Sequence, residues 1–279
     1  MKRILILCIG ICLHYVAGVV FGLGIEQINA QSNRFASYTE TANSLNLEMI
    51  AVRGGTFMMG CTAEQGDDCE DYEKPAHQVT VSDFYIGKYE ITQAQWKAVM
   101  GTGIREQLEK VNGRRLVGEG DNYPVYLVSW DEVQEFIRRL NAQTGKQYRL
   151  PTEAEWEFAA RGGSNRMGYK YSGSNTAGSA VWYNANSDSL THPVGLKLPN
   201  ELGIHDMSGN VSEWCSDWWG SYGSNAQTNP QGPSSGSERV FRGGFFLCHE
   251  LCIRVSQRLS TIPDTRNPAL GFRLACSSR

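Results

Sequence analysis

From Gly163 to its C-terminus the chain is dense in Gly, Ser, Asn and Pro and carries almost no run with the apolar period that a helix or strand requires. That property restricts the fold more than any other. Each ordered residue costs conformational entropy and each buried peptide group needs a partner, so long loops inside a folded domain must be pinned by cross-links, metals or buried polar contacts. The 279 residues, 41% of them hydrophobic and 20% charged, are enough to bury a sizeable core, so the loops are expected to lie on a folded scaffold and not in a disordered chain. The net charge of -3 and the absence of basic runs interleaved with aromatics exclude a nucleic-acid partner.

The pinning candidates can be read directly. Cys248-His249-Glu250-Leu251-Cys252 places two thiols and an imidazole within five residues, and such a pair can close a disulfide, share a soft metal ion or act as redox thiols. Asp206-Met207-Ser208-Gly209-Asn210-Val211-Ser212-Glu213 offers carboxylates at both ends and main-chain carbonyls between, a set that suits a hard cation such as calcium. The alternative for this second segment is a turn feeding a buried strand at Trp214. Cys61 and Cys69 bracket a short acidic loop and are the easiest pair to join locally, whereas Cys215, Cys248, Cys252 and Cys276 leave the remaining connectivity open.

Met1-Lys2-Arg3, an apolar run from Ile4 to about Ile25, and Asn29-Ala30-Gln31-Ser32 have the order of a secretory signal, with cleavage near residue 31; an uncleaved membrane anchor is the alternative. Either reading places the domain in the periplasm or outside the cell, where disulfides persist. Residues 32–48 are polar and read as a linker, so the domain is expected over 49–279.

Within it, Met49–Val52 followed by Gly54–Gly60 reads as a strand broken by a glycine turn and then a second short strand, and Val79–Ile86 as a strand with one buried face. Three capping boxes mark helix starts: Thr92 with Gln95, Ser129 with Glu132, and Thr152 with Glu155. The charged stretch 102–122 reads as irregular. Glu153, Glu155 and Glu157 crowd one helix start and are assigned to capping and dipole compensation, not to catalysis.

Taken together, Gly54–Gly60, Tyr89-Glu90-Ile91-Thr92, Pro124–Trp130, the Arg149–Gly163 helix, Gly203–Trp214, Arg242-Gly243-Gly244 and Gly271-Phe272-Arg273 resemble, in order, the formylglycine-generating enzyme family, also called the sulfatase-modifying factor domain. The resemblance implies an α+β fold, a loop-rich variant of the C-type lectin fold with few regular elements. It also implies a chemistry, in which a cysteine pair binds Cu(I) and molecular oxygen converts a sulfatase cysteine in a C-x-P-x-R sequence to formylglycine. Carried over, Cys248 and Cys252 are the copper ligands and catalytic thiols, and Asp206, Met207, Gly209, Val211 and Glu213 the calcium ligands, three of them through main-chain oxygens. The partner would be a sulfatase or another cell-envelope protein, and the chain is expected to act as a monomer. Three positions depart from the family pattern: three residues separate the two cysteines where four are usual, Phe245 stands for a serine, and Ser212 stands for a tryptophan. These departures motivate an alternative, a secreted non-catalytic module of the same fold. Its aromatics Trp214, Trp218, Trp219 and Tyr222, if exposed, would suit a glycan or peptide.

Overall fold

A computed structural model describes residues 35–42, 45–67 and 69–278, and the chain divides into Met1–Ala36 and Ser37–Arg279. The expected signal sequence lies outside the described residues. Among those that are described, no helix is long and apolar enough to cross a membrane.

Strands β1 (Tyr38–Glu40), β2 (Leu47–Val52), β3 (Gly55–Met59), β4 (His77–Val81) and β5 (Phe84–Gly87) come first. They are followed by helices α1 (Gln93–Met100), α2 (Ile104–Lys110) and α3 (Trp130–Thr144), then β6 (Tyr148–Arg149), α4 (Glu153–Ala160) and the short α5 (Ala177–Ala180). The C-terminal region supplies β7 (Ser212–Trp218), β8 (Gln227–Thr228), β9 (Arg239–Arg242), β10 (Arg258–Thr261), β11 (Leu270–Gly271) and β12 (Ala275–Ser277). Three sheets result, in the orders β1-β2-β5-β12-β6, β10-β9-β7-β11 and β3-β4-β8. The α+β expectation holds, with short elements and long loops.

All three expected capping boxes form: Thr92, Ser129 and Thr152 each accept from the backbone amide three residues on, and Gln95, Glu132 and Glu155 each reach back. Along α3 the periodic side chains Val133, Phe136, Ile137 and Leu140 are buried, and Phe136 stacks on Trp96 of α1 with ring centroids 5.5 Å apart.

The linker and the irregular stretch are corrected. β1 and the start of β2 fall inside 32–48, paired Tyr38 to Met49, because the alternation Leu45, Leu47, Met49 buries one face despite polar surroundings. Inside 102–122, α2 forms because Glu106 accepts from the Gly103 amide at 3.0 Å and Ile104 is buried. The run 79–86 is two strands in two different sheets, split where Asp83 turns to accept from the Gly54 amide at 2.8 Å and to pair with Arg53.

Only Glu155 of the three α4 carboxylates serves the cap. Glu153 and Glu157 are buried ion-pair partners, Glu153 meeting Arg258 at 2.7 Å and Glu157 meeting Arg161 at 2.8 Å as well as Arg242. Asp217 lies beside them without a cation of its own; burial first, and then the charge of Glu153, push its carboxyl up to about 7. A folded-state value above the ordinary 3.8 means that the native protein binds more protons than the unfolded chain, so stability falls as pH rises from about 4 through about 7. The variant Asp217→Asn, which keeps an oxygen for the Glu153 amide, should lose that slope and melt higher than wild type at pH 8, a tenfold change in proton affinity being worth about 1.4 kcal/mol. Equal slopes of melting temperature against pH in the two proteins would contradict it.

Candidate active site

The thiol segment is the tip of a loop that leaves β9 and returns to β10, and three sets of contacts fix it. At its base Arg242 pairs with Arg258 across the ladder and donates to the carbonyls of Ser256 and Val255 at 2.8 and 3.0 Å. On one flank the Phe246 amide donates to Asn210 O at 3.0 Å, and Ser187 Oγ donates to Phe246 O at 2.7 Å. On the other, Arg254 forms a two-pronged ion pair with Glu73 at 2.8 and 2.6 Å, which ties the loop to the turn that follows the Cys61–Cys69 disulfide. Gly244 adopts φ +67°, and a Cβ there would lie 2.4 Å from the carbonyl oxygen of Cys252, so only glycine lets the loop fold back this tightly.

A short 3-10 turn, Glu250–Ile253, then brings Cys252 back toward Cys248. The two thiols are unlinked, share one small apolar cluster, and lie close enough to influence each other's charge. Cys248 is buried and Cys252 half-buried, against Tyr171, Val181, Tyr183, Phe245 and Ile253. Burial, and then the neighbouring Cys252, push the Cys248 thiol up to about 12, so without a metal it is protonated at neutral pH and a poor nucleophile. His249 is exposed, its Nδ1 2.7 Å from the amide nitrogen of Asn184. Two adjacent soft sulfurs, one of them reachable from solvent, fit a Cu(I) ion in donor type. Cys215 is buried and Cys276 half-buried in other parts of the core, so among the described residues Cys248 and Cys252 are the one pair of free thiols that share a cluster.

Asp206 and Glu213 also meet, but not as expected. Both oxygens of Glu213 are held by Arg273 at 2.6 Å each, and one also accepts from Trp156 Nε1 at 2.7 Å. Glu213 in this conformation is committed to Arg273, so a cation here would have to share its oxygens with that guanidinium. Asp206 fits one better. Its Oδ2 accepts from the Gly195 amide at 2.7 Å, while its Oδ1 is buried without a hydrogen-bond partner. Gly209 sits at φ +81° with its Cα against the Trp182 carbonyl, which bends the chain between Met207 and Val211. The third carboxylate of the cluster is Glu90, which accepts from the Val211 amide at 3.1 Å and from Asn210 at 2.8 Å. Burial, with Asp206 and Glu213 nearby, raises Glu90 well above the usual carboxylate range. No sequence spacing could have joined Glu90 to this group, since it lies 120 residues from Asn210. Among the described residues no three His, Cys, Asp or Glu side chains form a ready metal cluster, so a calcium ion at Asp206 would depend on carbonyl oxygens.

Of the four aromatics considered for ligand stacking, only Trp214 is fully buried; Trp218, Trp219 and Tyr222 are half-buried and already engaged by the protein's own side chains. Trp214 is buried and donates to Val128 O at 3.0 Å, Trp219 lies over Arg258, Trp218 packs on Arg239, and Tyr222 donates to Glu153 at 3.0 Å.

An α+β domain with few regular elements and an isolated dithiol on a glycine-hinged loop defines the class. Residues 34–278 match the family described as the sulfatase-modifying factor enzyme 1-like domain. The chain is 33% identical to the formylglycine-generating enzyme of Mus musculus, over 82% of this chain and 74% of that protein. It is 31% identical to the chaperone protein LppX of Paenibacillus barcinonensis, over 78% of this chain and 85% of the other. Among solved structures, Treponema denticola variable protein 1 superposes with a TM-score of 0.75 at 32% identity, covering 86% of this chain and 99% of that one. The protein belongs to the formylglycine-generating enzyme, or sulfatase-modifying factor, family.

Proposed function

We propose that this protein is an envelope or secreted oxidase that converts a cysteine of a sulfatase or similar polypeptide to formylglycine, with Cys248 and Cys252 holding one Cu(I). The proximity of two unlinked thiols at the tip of a braced loop carries this reading. Bound copper would supply the one-electron chemistry with oxygen that side chains lack. In net terms the substrate Cβ–S bond is replaced by a C=O group and the sulfur leaves as hydrogen sulfide. Oxygen is the oxidant, and an external thiol supplies two further electrons and protons to complete its reduction. The chain's own part is to hold the sulfurs adjacent, keep the pocket apolar through Tyr171, Val181 and Phe245, and leave Cys252 open to an incoming thiol. A calcium ion at Asp206 would steady the Gly203–Glu213 loop and so the Asn210 carbonyl that receives the Phe246 amide.

Copper-loaded protein, given oxygen, a thiol reductant and a C-x-P-x-R peptide, should yield a product with the mass loss of formylglycine and an aldehyde that a hydroxylamine probe captures. A competing reading, a binding module without catalysis, is favoured by Phe245, whose ring packs against the thiols. An unchanged peptide alongside stoichiometric Cu(I) binding would decide for the module.

A further inference from the structure

Arg242, Arg254, Arg258 and Arg273 are buried and each meets a carboxylate, but Arg239 does not. Its guanidinium is clamped between the rings of Trp130 and Trp218, 3.9 and 3.4 Å from their centroids. Nη1 donates to Ser216 O at 2.7 Å and Nε is buried without a partner. Nη2 makes no hydrogen bond among the described residues. Asp131 and Asp217 act on the guanidinium through space, yet neither is within ion-pair distance.

This cation lines a cavity of about 580 Å³ that shares no residue with the thiol pocket. The other charges on its wall have ion-pair partners, Arg149 with Glu155 and Asp83 with Arg53, which leaves Arg239 as the wall's charge without one. Its rim is made of hydroxyls and amides, among them Ser82, Gln134, Asn229 and Gln231, and Leu150 is the one aliphatic side chain on the wall. The side-chain amides of Gln134 and Gln231 make no hydrogen bonds within the described protein. Trp130 and Leu150 supply the apolar part of the wall, and the rest of the lining is hydroxyl, amide or charged. A polyhydroxylated ligand with one negative group matches the rim, the charge and the size, cavities of roughly 300–1,000 Å³ being usual for small ligands.

We infer that the cavity between Trp130, Arg239 and Gln134 is a binding site for a sugar bearing an oxyanion, either a carboxylate or a sulfate ester, with the anion on the Nη2 edge of Arg239. Rigid stacking leaves the fork pre-ordered, so little side-chain entropy is lost on binding.

Calorimetric titration of the purified protein with glucuronate, glucose 6-sulfate and glucose, followed also by tryptophan fluorescence, tests it. One or both anionic sugars should bind saturably and at least about tenfold tighter than glucose, and which of them does so identifies the anion. Arg239→Gln should remove that preference. Gln134→Glu, on the rim and outside the stack, should weaken it about tenfold even if Arg239→Gln fails to fold. Equal affinity for glucose and the acids would overturn the assignment, as would binding unchanged in Gln134→Glu, or binding of a glutamate-rich peptide with none of the sugars.

Discussion

Arg273→Met is expected to destabilise the protein by about 3–5 kcal/mol, the cost of leaving a buried charge without its partner. Arg273 is fully buried, makes two 2.6 Å bonds to Glu213, and also donates to the carbonyls of Gly87 at 3.0 Å and His205 at 2.9 Å. It is the cation among Glu90, Asp206 and Glu213, so its loss strands three carboxylates in the same low-dielectric region. Methionine has comparable reach but neither charge nor donors. Urea unfolding should show a lower midpoint at an unchanged slope. The double variant Arg273→Met/Glu213→Leu should recover much of the loss, because replacing a buried pair by apolar groups costs far less than breaking it. If calcium binds at Asp206, it should raise the midpoint of both wild type and Arg273→Met, more so in the variant, where Glu213 is freed. A loss under about 1 kcal/mol in Arg273→Met would mean that the pair contributes little beyond its own desolvation.

That cluster also shows where the sequence was legible and where it was not. Helix starts were legible because a cap joins residues only three apart: Thr92 with Gln95, Ser129 with Glu132, and Thr152 with Glu155 all form as the local chemistry requires. The Cys61–Cys69 link was legible for the same reason, its partners being close along the chain. Glu90 and Arg273 were each visible inside a recognisable motif, yet nothing local says that they converge on Glu213. Glu153 and Glu157 were assigned to the helix dipole, a reading correct in sign but made irrelevant by Arg258 and Arg242, which arrive from β10 and β9. A local pattern cannot weigh a partner brought in by tertiary structure. The C-terminal loops read as irregular for a related reason: β7, β9 and β10 are short strands whose pairing is with one another and whose side chains are buried on both faces in part, so no alternation survives.

Cys248→Ser and Cys252→Ser should each abolish peptide conversion, by at least about a thousandfold, since groups acting as one unit lose nearly everything with either member. The fold should survive both, because a serine hydroxyl is no larger than a thiol and neither sulfur is cross-linked. Copper content separates this from a structural role: each variant should lose stoichiometric Cu(I), hydroxyl oxygen being a hard donor that a soft ion rejects. Cys215→Ser supplies the control, for Cys215 is equally buried, stands alone on β7, and should leave copper binding and turnover intact. The two site variants also differ in a way that the geometry fixes. Cys252 is the half-exposed sulfur and so the one a substrate thiol would meet first, whereas Cys248 lies beneath it against Val181 and Ile253. A mixed disulfide between substrate peptide and protein, trapped under air without reductant, should therefore form in Cys248→Ser and fail in Cys252→Ser. Retention of full copper binding by either variant would detach the metal from this pair and with it the oxidase reading.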